Sequence, residues 1–257
     1  HESGASGANS GIQFTVAGAG GLFTLDDFLA AYKAPGHMVL PPTTLVTIEN
    51  THNRGSGVVF PQAEIVSICA AAKARGVYSL CDGARLFNAA TASGLSLSTL
   101  AAPFDVVTLA LSKGLGCPVG SLVVGRADDM KRAKRIRRMF GGAMRQSGIL
   151  AAAGLYALDN HFSRLGEDHE NAKLIAEKLS DVPGVKIELE NIQSNIVIFS
   201  LGEELEDAAS IVARAKAAGV LLTVFGPRRV RAVTHLNVSR EECIQAADIL
   251  AKILEKK

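Results

Sequence analysis

Short uninterrupted apolar runs, separated by segments with helical periodicity, are the feature of this sequence that most limits its fold. The runs lack polar alternation, which is typical of strands buried on both faces. They lie at 45–49, 77–81, 106–111 and 121–124. Helical periodicity extends over 62–75 and around 95–102. Strands that alternate with helices predict a mostly parallel α/β sheet.

The segment before the first of these runs has weaker signals. Residues 12–16 are apolar and predict a strand, and the following A-G-A-G-G favours a turn. A nucleotide fingerprint is disfavoured because Phe23 occupies the position where the third glycine of G-x-G-x-x-G should lie. Thr24 and Asp27 have the spacing of a helix-capping box.

The pattern of predicted strands and helices changes over the final 70 or so residues. Three helices are predicted before them, over 127–138, 147–160 and 162–180. Strands are then expected at 185–189, 196–201, 220–224 and 232–238, with a helix over about 204–217. Ser239 and Glu242 predict a capping box for the last helix. We therefore expect a large domain over 1–165 and a small C-terminal α+β domain over 166–257.

Composition excludes several classes of protein. The 257 residues correspond to one or two domains at roughly 150 residues each. Apolar residues make up 48% and the net charge is +2, so no global attraction to nucleic acid or membrane is expected. No run approaches the ~20 apolar residues of a membrane helix. Four dispersed cysteines without a C-x-x-C suit a reducing compartment, and with no signal peptide we expect a cytoplasmic protein.

Polar side chains follow three neighbouring predicted strands, at the edge where parallel α/β sheets bind ligands. His52 follows the first, Asp82 and Arg85 the second, and Lys113 the third. Asp82 precedes Lys113 by 31 residues, with one helix and one strand expected between them. Metal-ligand spacing, a Ser-His-Asp set and a G-x-S-x-G elbow are all missing from the sequence.

Pyridoxal 5′-phosphate (PLP) is a cofactor that needs these side chains. A lysine forms a Schiff base with it, and a carboxylate keeps its ring nitrogen protonated. An arginine binds a substrate carboxylate through a bidentate fork. Each residue also has a structural interpretation: Lys113 as a solvated loop charge, Asp82 as a turn cap, His52 as a loop histidine and Arg85 as an ion-pair partner.

Longer blocks of sequence resemble the threonine aldolases, PLP enzymes of the aspartate-aminotransferase-like fold type I within the β-eliminating lyase group. The blocks are ENTHN at 49–53, DGARLFNA at 82–89, LSKGLGCPVGSLVVG at 111–125, GGAMRQSGILAAAGLYAL at 141–158, EDHENA at 167–172 and RAVTHLNVSRE at 231–241. They occur in order over essentially the whole chain. The resemblance implies a fold type I large domain with a mostly parallel sheet, followed by a small α+β domain.

Roles for individual residues follow from the resemblance. Lys113 resembles the Schiff-base lysine, and Asp82 resembles the partner of the pyridine nitrogen. Arg85 and Arg231 resemble the arginines that hold the substrate carboxylate, with Arg85 also next to the cofactor. His52 resembles the histidine near the substrate hydroxyl.

The resemblance also concerns the assembly. Threonine aldolases are tetramers built from dimers that share active sites. Arg138 stands where the family often has lysine, and there it would reach a neighbouring subunit's cofactor phosphate. Arg145 falls in an active-site and interface block and is a candidate for substrate binding. Two other interpretations of the basic helix over 127–138 stay open, a solvated face and, with less support, a nucleic-acid patch.

The chain departs from the family at its N-terminus. Family members carry about 80 more residues before the position that matches His1, so we expect an incomplete large domain. That segment holds the Gly-Thr loop for the cofactor phosphate, the histidine that stacks on the ring and a serine that contacts the substrate carboxylate. Residues 2–6 match the segment just after that histidine, so His1 is not expected to fill its role.

The expected reaction is retro-aldol cleavage of L-threonine, L-allo-threonine or related β-hydroxy-α-amino acids to glycine and an aldehyde, with His52 or a water that it orients as the base. Three alternatives stay open. Other fold type I activities, β-elimination or alanine racemisation, would use the same lysine. The chain could also be an inactive truncated subunit. A generic nucleotide-binding domain is disfavoured because its glycine fingerprint is incomplete.

Overall fold

Two four-stranded sheets organise residues 2–255, the part of the chain that this computed structural model describes. The first sheet has the order β1-β2-β3-β4. Its strands are β1 (Leu45–Glu49), β2 (Tyr78–Gly83), β3 (Val106–Ala110) and β4 (Ser121–Gly125). The β1–β2 and β2–β3 pairs are parallel and the β3–β4 pair is antiparallel. The predicted mostly parallel sheet is confirmed.

Short helices cover one face of this sheet. They are α2 (Leu25–Ala31), α3 (Gln62–Lys73), α4 (Leu86–Ser93) and α5 (Leu97–Ala101), whereas the preceding α1 (Ala5–Ser10) has no buried residue. The cores under α2 to α5 contain Ile48 from β1, Cys81 from β2 and Val107 from β3. The opposite face is more open, with Tyr78 half exposed and Asp82 exposed. Burial of alternate residues on β1 and β2 therefore leaves one set of side chains accessible.

Helix α4 corrects the sequence prediction that one helix separates Asp82 from Lys113. Two helices, α4 and α5, lie between them. Leu86, Phe87 and Ala89 of α4 are buried, so packing rather than a clear periodic pattern stabilises this short helix. The capping box of Thr24 and Asp27 is confirmed, since each side chain accepts a hydrogen bond from the other residue's backbone N–H.

The second sheet is antiparallel and has the order β5-β6-β8-β7. Its strands are β5 (Val185–Lys186), β6 (Ile196–Leu201), β7 (Thr223–Gly226) and β8 (Arg229–Val233). Helices α6 (Ala127–Met139) and α7 (Gly148–Asn160) precede this part, and α8 (Leu165–Ser180), α9 (Ala208–Ala217) and α10 (Arg240–Glu255) pack around it. The sheet and its three helices share one apolar core, as an α+β unit should. The division of the chain at residue 165 stays a prediction.

Some strand predictions were wrong in place or extent. Residues 12–16 form no strand; Phe14 and Val16 are exposed, and no neighbouring strand pairs with this segment in the described chain. The strand expected at 185–189 is only Val185–Lys186. The strands expected at 220–224 and 232–238 are Thr223–Gly226 and Arg229–Val233, because a tight connection at 227–228 joins them. The capping box of Ser239 and Glu242 is confirmed.

Among residues 2–255, none of the helices combines the length and the apolar character needed to cross a bilayer.

Candidate active site

The carboxyl ends of β1, β2 and β3 bring the predicted site residues to one edge of the first sheet. Glu49 is the register partner of Asp82, which in turn pairs with Thr108. These three residues share the open face of the sheet, opposite the buried Ile48 and Cys81. Lys113 follows the end of β3 by three residues, so it emerges beside the strand that carries Asp82.

Backbone hydrogen bonds and close packing fix the turn that carries Lys113. The Lys113 carbonyl accepts a 2.8 Å hydrogen bond from the Gly116 N–H, and the Leu115 carbonyl lies 2.7 Å from His161 Nδ1. Gly114 packs so closely on Asn88 that an added Cβ would lie 3.0 Å from its Oδ1. The Lys113 side chain itself is exposed. A fixed backbone therefore presents Lys113 as an exposed residue at this edge.

Asp82 and Arg85 are positioned by the connection between β2 and α4. Asp82 Oδ1 accepts a 3.1 Å hydrogen bond from the Ala84 N–H, which orients the carboxylate. Arg85 is half buried, and this burial lowers the pKa of its guanidinium. The charges of Glu49 and Asp82 oppose that shift, while the charge of Arg231 adds to it. Arg85 thus lies within electrostatic reach of carboxylates and of a second guanidinium.

His52 lies three residues after β1, where a hydrogen bond holds its Nδ1 and its Nε2 lies near Glu49. Its Nδ1 accepts a 3.1 Å hydrogen bond from the Gly55 N–H, and its Nε2 lies 3.5 Å from Glu49 Oε2. Gly21 covers the ring so closely that a Cβ there would lie 2.4 Å from Nδ1. Since Nδ1 is an acceptor, the hydrogen bonds assign the proton of the neutral ring to Nε2.

Arg231 comes from β8 of the second sheet and reaches across to the first. Its Nη1 donates a 2.6 Å hydrogen bond to Asn53 Oδ1. Its Nε is buried and has no hydrogen-bond partner among the described residues. Burial lowers the pKa of Arg231, and the charge of Arg54 lowers it further. The charge of Arg231 acts on Arg85 although the two residues are distant in sequence, and their shared role toward a substrate stays a prediction.

Arg138 and Arg145 lie in another part of the structure. Arg138 is exposed in the last turn of α6, and Arg145 is exposed in the segment between α6 and α7. Helix α6 packs against β4, at the opposite edge of the sheet from β1. Their roles toward cofactor and substrate stay predictions.

Sequence reasoning missed four residues that contact this group. Glu49 faces His52, Asn53 holds Arg231, Arg54 lies near Arg231, and Phe225 lies under its guanidinium. Glu49 and Asn53 stand inside the ENTHN block, so that block was the available signal. Phe225 gave no signal, because a lone phenylalanine in an apolar run is typical of a core residue.

Comparisons with known proteins identify the family of this chain. A family model described as beta-eliminating lyase matches residues 1–201. The chain belongs to the beta-eliminating lyase family. The low specificity L-threonine aldolase of Escherichia coli K12 is 43% identical over 231 residues, and an Arabidopsis thaliana low-specificity L-threonine aldolase is 35% identical over 228. The predicted resemblance to threonine aldolases is thus confirmed.

The matches take in most of this chain but only about two thirds of each relative. The match to the E. coli protein takes in 90% of this chain but 66% of that protein, and the Arabidopsis match takes in 86% and 63%. The solved structure of Leishmania major threonine aldolase matches 99% of this chain and 74% of that one, with a TM-score of 0.77 at 22% identity. This likeness confirms the predicted fold type I class.

Family and fold together imply PLP, and the strand-end residues fit it. Lys113 supplies an amine and Asp82 an oriented carboxylate at neighbouring strand ends. The buried, unpartnered Nε of Arg231 marks a place where an anionic acceptor is needed. These are the groups required for a pyridoxal ring and for the carboxylate of an amino acid.

Proposed function

We propose that the protein carrying this chain is a PLP-dependent carbon–carbon lyase. It cleaves L-threonine, L-allo-threonine and related β-hydroxy-α-amino acids to glycine and an aldehyde by retro-aldol scission of Cα–Cβ. The observation that carries the proposal is the placement of Asp82 and Lys113 at neighbouring strand ends, on the edge that Arg231 reaches from the second sheet through its hydrogen bond to Asn53. The 43% identity to a relative named for this activity supports it.

The two arginines bind the substrate. Their guanidiniums lie within electrostatic reach of each other, and burial weakens the hydration of both. A carboxylate between them would neutralise the repulsion and form charge-assisted hydrogen bonds. Binding the α-carboxylate fixes the orientation of the bonds at Cα.

The cofactor is held by two residues of this chain. Lys113 would hold the pyridoxal aldehyde through its amine, and Asp82 would keep a proton on the ring nitrogen. When bound, the ring acts as a sink for the electron pair released at Cα.

His52 and Glu49 are the residues that take part in removing the β-hydroxyl proton. Because Nδ1 accepts from Gly55, neutral His52 presents Nε2–H, which suits orienting a water or the substrate hydroxyl. The Glu49 carboxylate, 3.5 Å from Nε2, is available to accept the proton. Of the two roles predicted for His52, this geometry favours orienting a water.

The test uses the native polypeptide that contains this chain. Its mass is measured first, since the chain spans 66% of its E. coli relative. The purified protein should absorb as a lysine-bound pyridoxal and release glycine and acetaldehyde from L-threonine. Lys113→Ala should abolish both the absorbance and nearly all turnover, while the exposed Lys131→Ala should keep both. A Lys113→Ala variant that keeps the absorbance and turnover would refute the assignment.

Two outcomes of the same assay would support other activities. The family name favours β-elimination as the second candidate, and pyruvate formed from serine without aldehyde release from L-threonine would establish it. Racemised alanine would point to a racemase instead. A colourless protein that lacks all three activities would be an inactive subunit.

The assembly and compartment are also proposals. A homotetramer built from dimers is supported by exposed apolar side chains around α6 and α7, including Met139, Phe140 and Ile149. In such an assembly Arg138 and Arg145 would complete a neighbour's site. A cytoplasmic location is supported by four buried free thiols. The partner is a small amino acid, and neither nucleic acid nor membrane is proposed as one.

A further inference from the structure

We propose that Phe225 is a positioning residue that orients Arg231 for the substrate carboxylate and holds Arg54 beside it, as a guanidinium additional to those of Arg85 and Arg231. This inference rests on the proposed function and adds two residues to it. Phe225 belongs to β7, Arg231 to β8 and Arg54 to the short 3-10 turn after β1. The ring therefore joins side chains from both sheets.

The geometry around the ring is specific. The guanidinium carbon of Arg231 lies 4.9 Å from the ring centroid and that of Arg54 lies 5.2 Å from it. Arg229 approaches the same ring at 5.9 Å. All three distances are within the range of a cation–π contact, where the negative face of the ring attracts a cation.

Three positive charges at one ring repel each other, so the arrangement needs compensation. The quadrupole of the Phe225 ring offsets part of this repulsion, but the ring carries no net charge that could neutralise the three guanidiniums. Arg54 and Arg231 approach the same ring centroid at 5.2 and 4.9 Å, and the charge of Arg54 adds to the effect of burial in lowering the pKa of Arg231. An anion bound between the arginines would remove the repulsion, and a carboxylate is the anion that the proposed substrate carries.

The guanidinium of Arg231 is constrained both in its plane and on its face. Asn53 Oδ1 holds Nη1 in the plane, and the Phe225 ring covers the face. The buried Nε has no acceptor among the residues described. A guanidinium fixed in this way, with its Nε still lacking an acceptor, suits a carboxylate, because the orientation cost is already met before binding.

A cavity lies next to the arginines. It has a volume of about 430 Å³ and is lined by His52, Arg54 and Arg229, together with glycines 20, 21 and 55 and with Glu188. Arg54 and Arg229 line this cavity, so a small anionic ligand in it would lie beside two of the guanidiniums at the Phe225 ring. An amino acid with a short side chain fits within this volume.

The experiment compares Phe225→Leu with Phe225→Tyr in the full-length holoenzyme. Leucine removes the aromatic face and tyrosine keeps it. We expect Phe225→Leu to raise KM for L-threonine about tenfold with kcat within about twofold. Phe225→Tyr should restore KM, and the exposed Phe14→Leu should match the wild type. Calorimetry with glycine should show the same tenfold loss of affinity without turnover.

The outcomes separate this inference from the proposed function. Wild-type protein that binds glycine but does not cleave L-threonine would overturn the function alone, and the glycine affinities would still test Phe225. Unchanged KM and glycine affinity in Phe225→Leu, or an equal loss in Phe225→Tyr, would overturn the inference alone. If Phe225→Leu fails to fold, Arg54→Gln should raise KM several-fold, because Arg54 is exposed and its replacement spares the core. An unchanged KM in Arg54→Gln would also overturn it.

Discussion

Asn53 Oδ1 accepts a 2.6 Å hydrogen bond from Arg231 Nη1, and this bond joins the segment after β1 to a strand of the second sheet. The two residues are far apart in sequence, yet their contact completes the proposed carboxylate site. The site therefore depends on how the two sheets meet.

Removing the Asn53 amide should impair substrate binding. Asn53→Ala leaves Arg231 with only the Phe225 ring to orient it, and hydrogen bonds to charged groups contribute about 1.5–3 kcal/mol. We expect KM for L-threonine to rise about tenfold or more, with the cofactor absorbance unchanged. Steady-state kinetics measures this. The exposed Asn160→Ala serves as the control, and an unaltered KM in Asn53→Ala would contradict the assigned contact.

Neutralising Asp82 should reduce catalysis more than binding. Asp82→Asn keeps the shape of the side chain but removes the charge that holds a proton on the cofactor's ring nitrogen. We expect kcat to fall by at least about 100-fold, together with a shifted cofactor spectrum. Stopped-flow absorbance and product release check both effects. Asp128→Asn, on the exposed face of α6, should behave as wild type; equal activity of the two variants would remove Asp82 from the site.

The half-buried His169 should make the protein less stable as the pH falls. Burial lowers its pKa from the usual 6.5 to about 4, although the charge of Glu170 opposes the shift. Between these values the unfolded chain binds the proton and the folded chain does not, so stability rises with pH. The contribution of His169 is therefore fully present above pH 6.5 and is lost as the pH falls toward 4.

Urea unfolding of His169→Gln measures this contribution. The difference in unfolding midpoint between the variant and the wild type should change between pH 6.5 and 4. Glutamine can still accept a hydrogen bond from Asn88 Nδ2, which lies 3.1 Å from His169 Nε2. The exposed His37→Gln is the matched control. A difference that is constant across this pH range would show that His169 does not titrate as described.

Much of the fold was predictable because local signals determine it. The strand over Leu45–Glu49 and the helix beginning after Thr24 were placed correctly from an apolar run and a capping box. The segment over 12–16 was not, since an apolar run becomes a strand only where a neighbouring strand supplies hydrogen bonds. Helix α4 was missed because burial of its side chains stabilises it, and burial is not a local property.

The sequence by itself determined the side chains available for chemistry. It placed His52, Asp82 and Lys113 after successive strands, and the parallel order of those strands brings them to one edge of the sheet. Motif and spacing sufficed there because consecutive strand–helix units connect neighbouring strands.

Only the tertiary structure decided what surrounds the carboxylate-binding arginines. Phe225 and Arg54 are separated along the chain by most of the protein, and no periodicity relates them to Arg85 or Arg231. Their contact follows from the packing of β7 and β8 against the segment after β1. Such contacts depend on long-range burial and charge pairing, which single-sequence patterns do not encode.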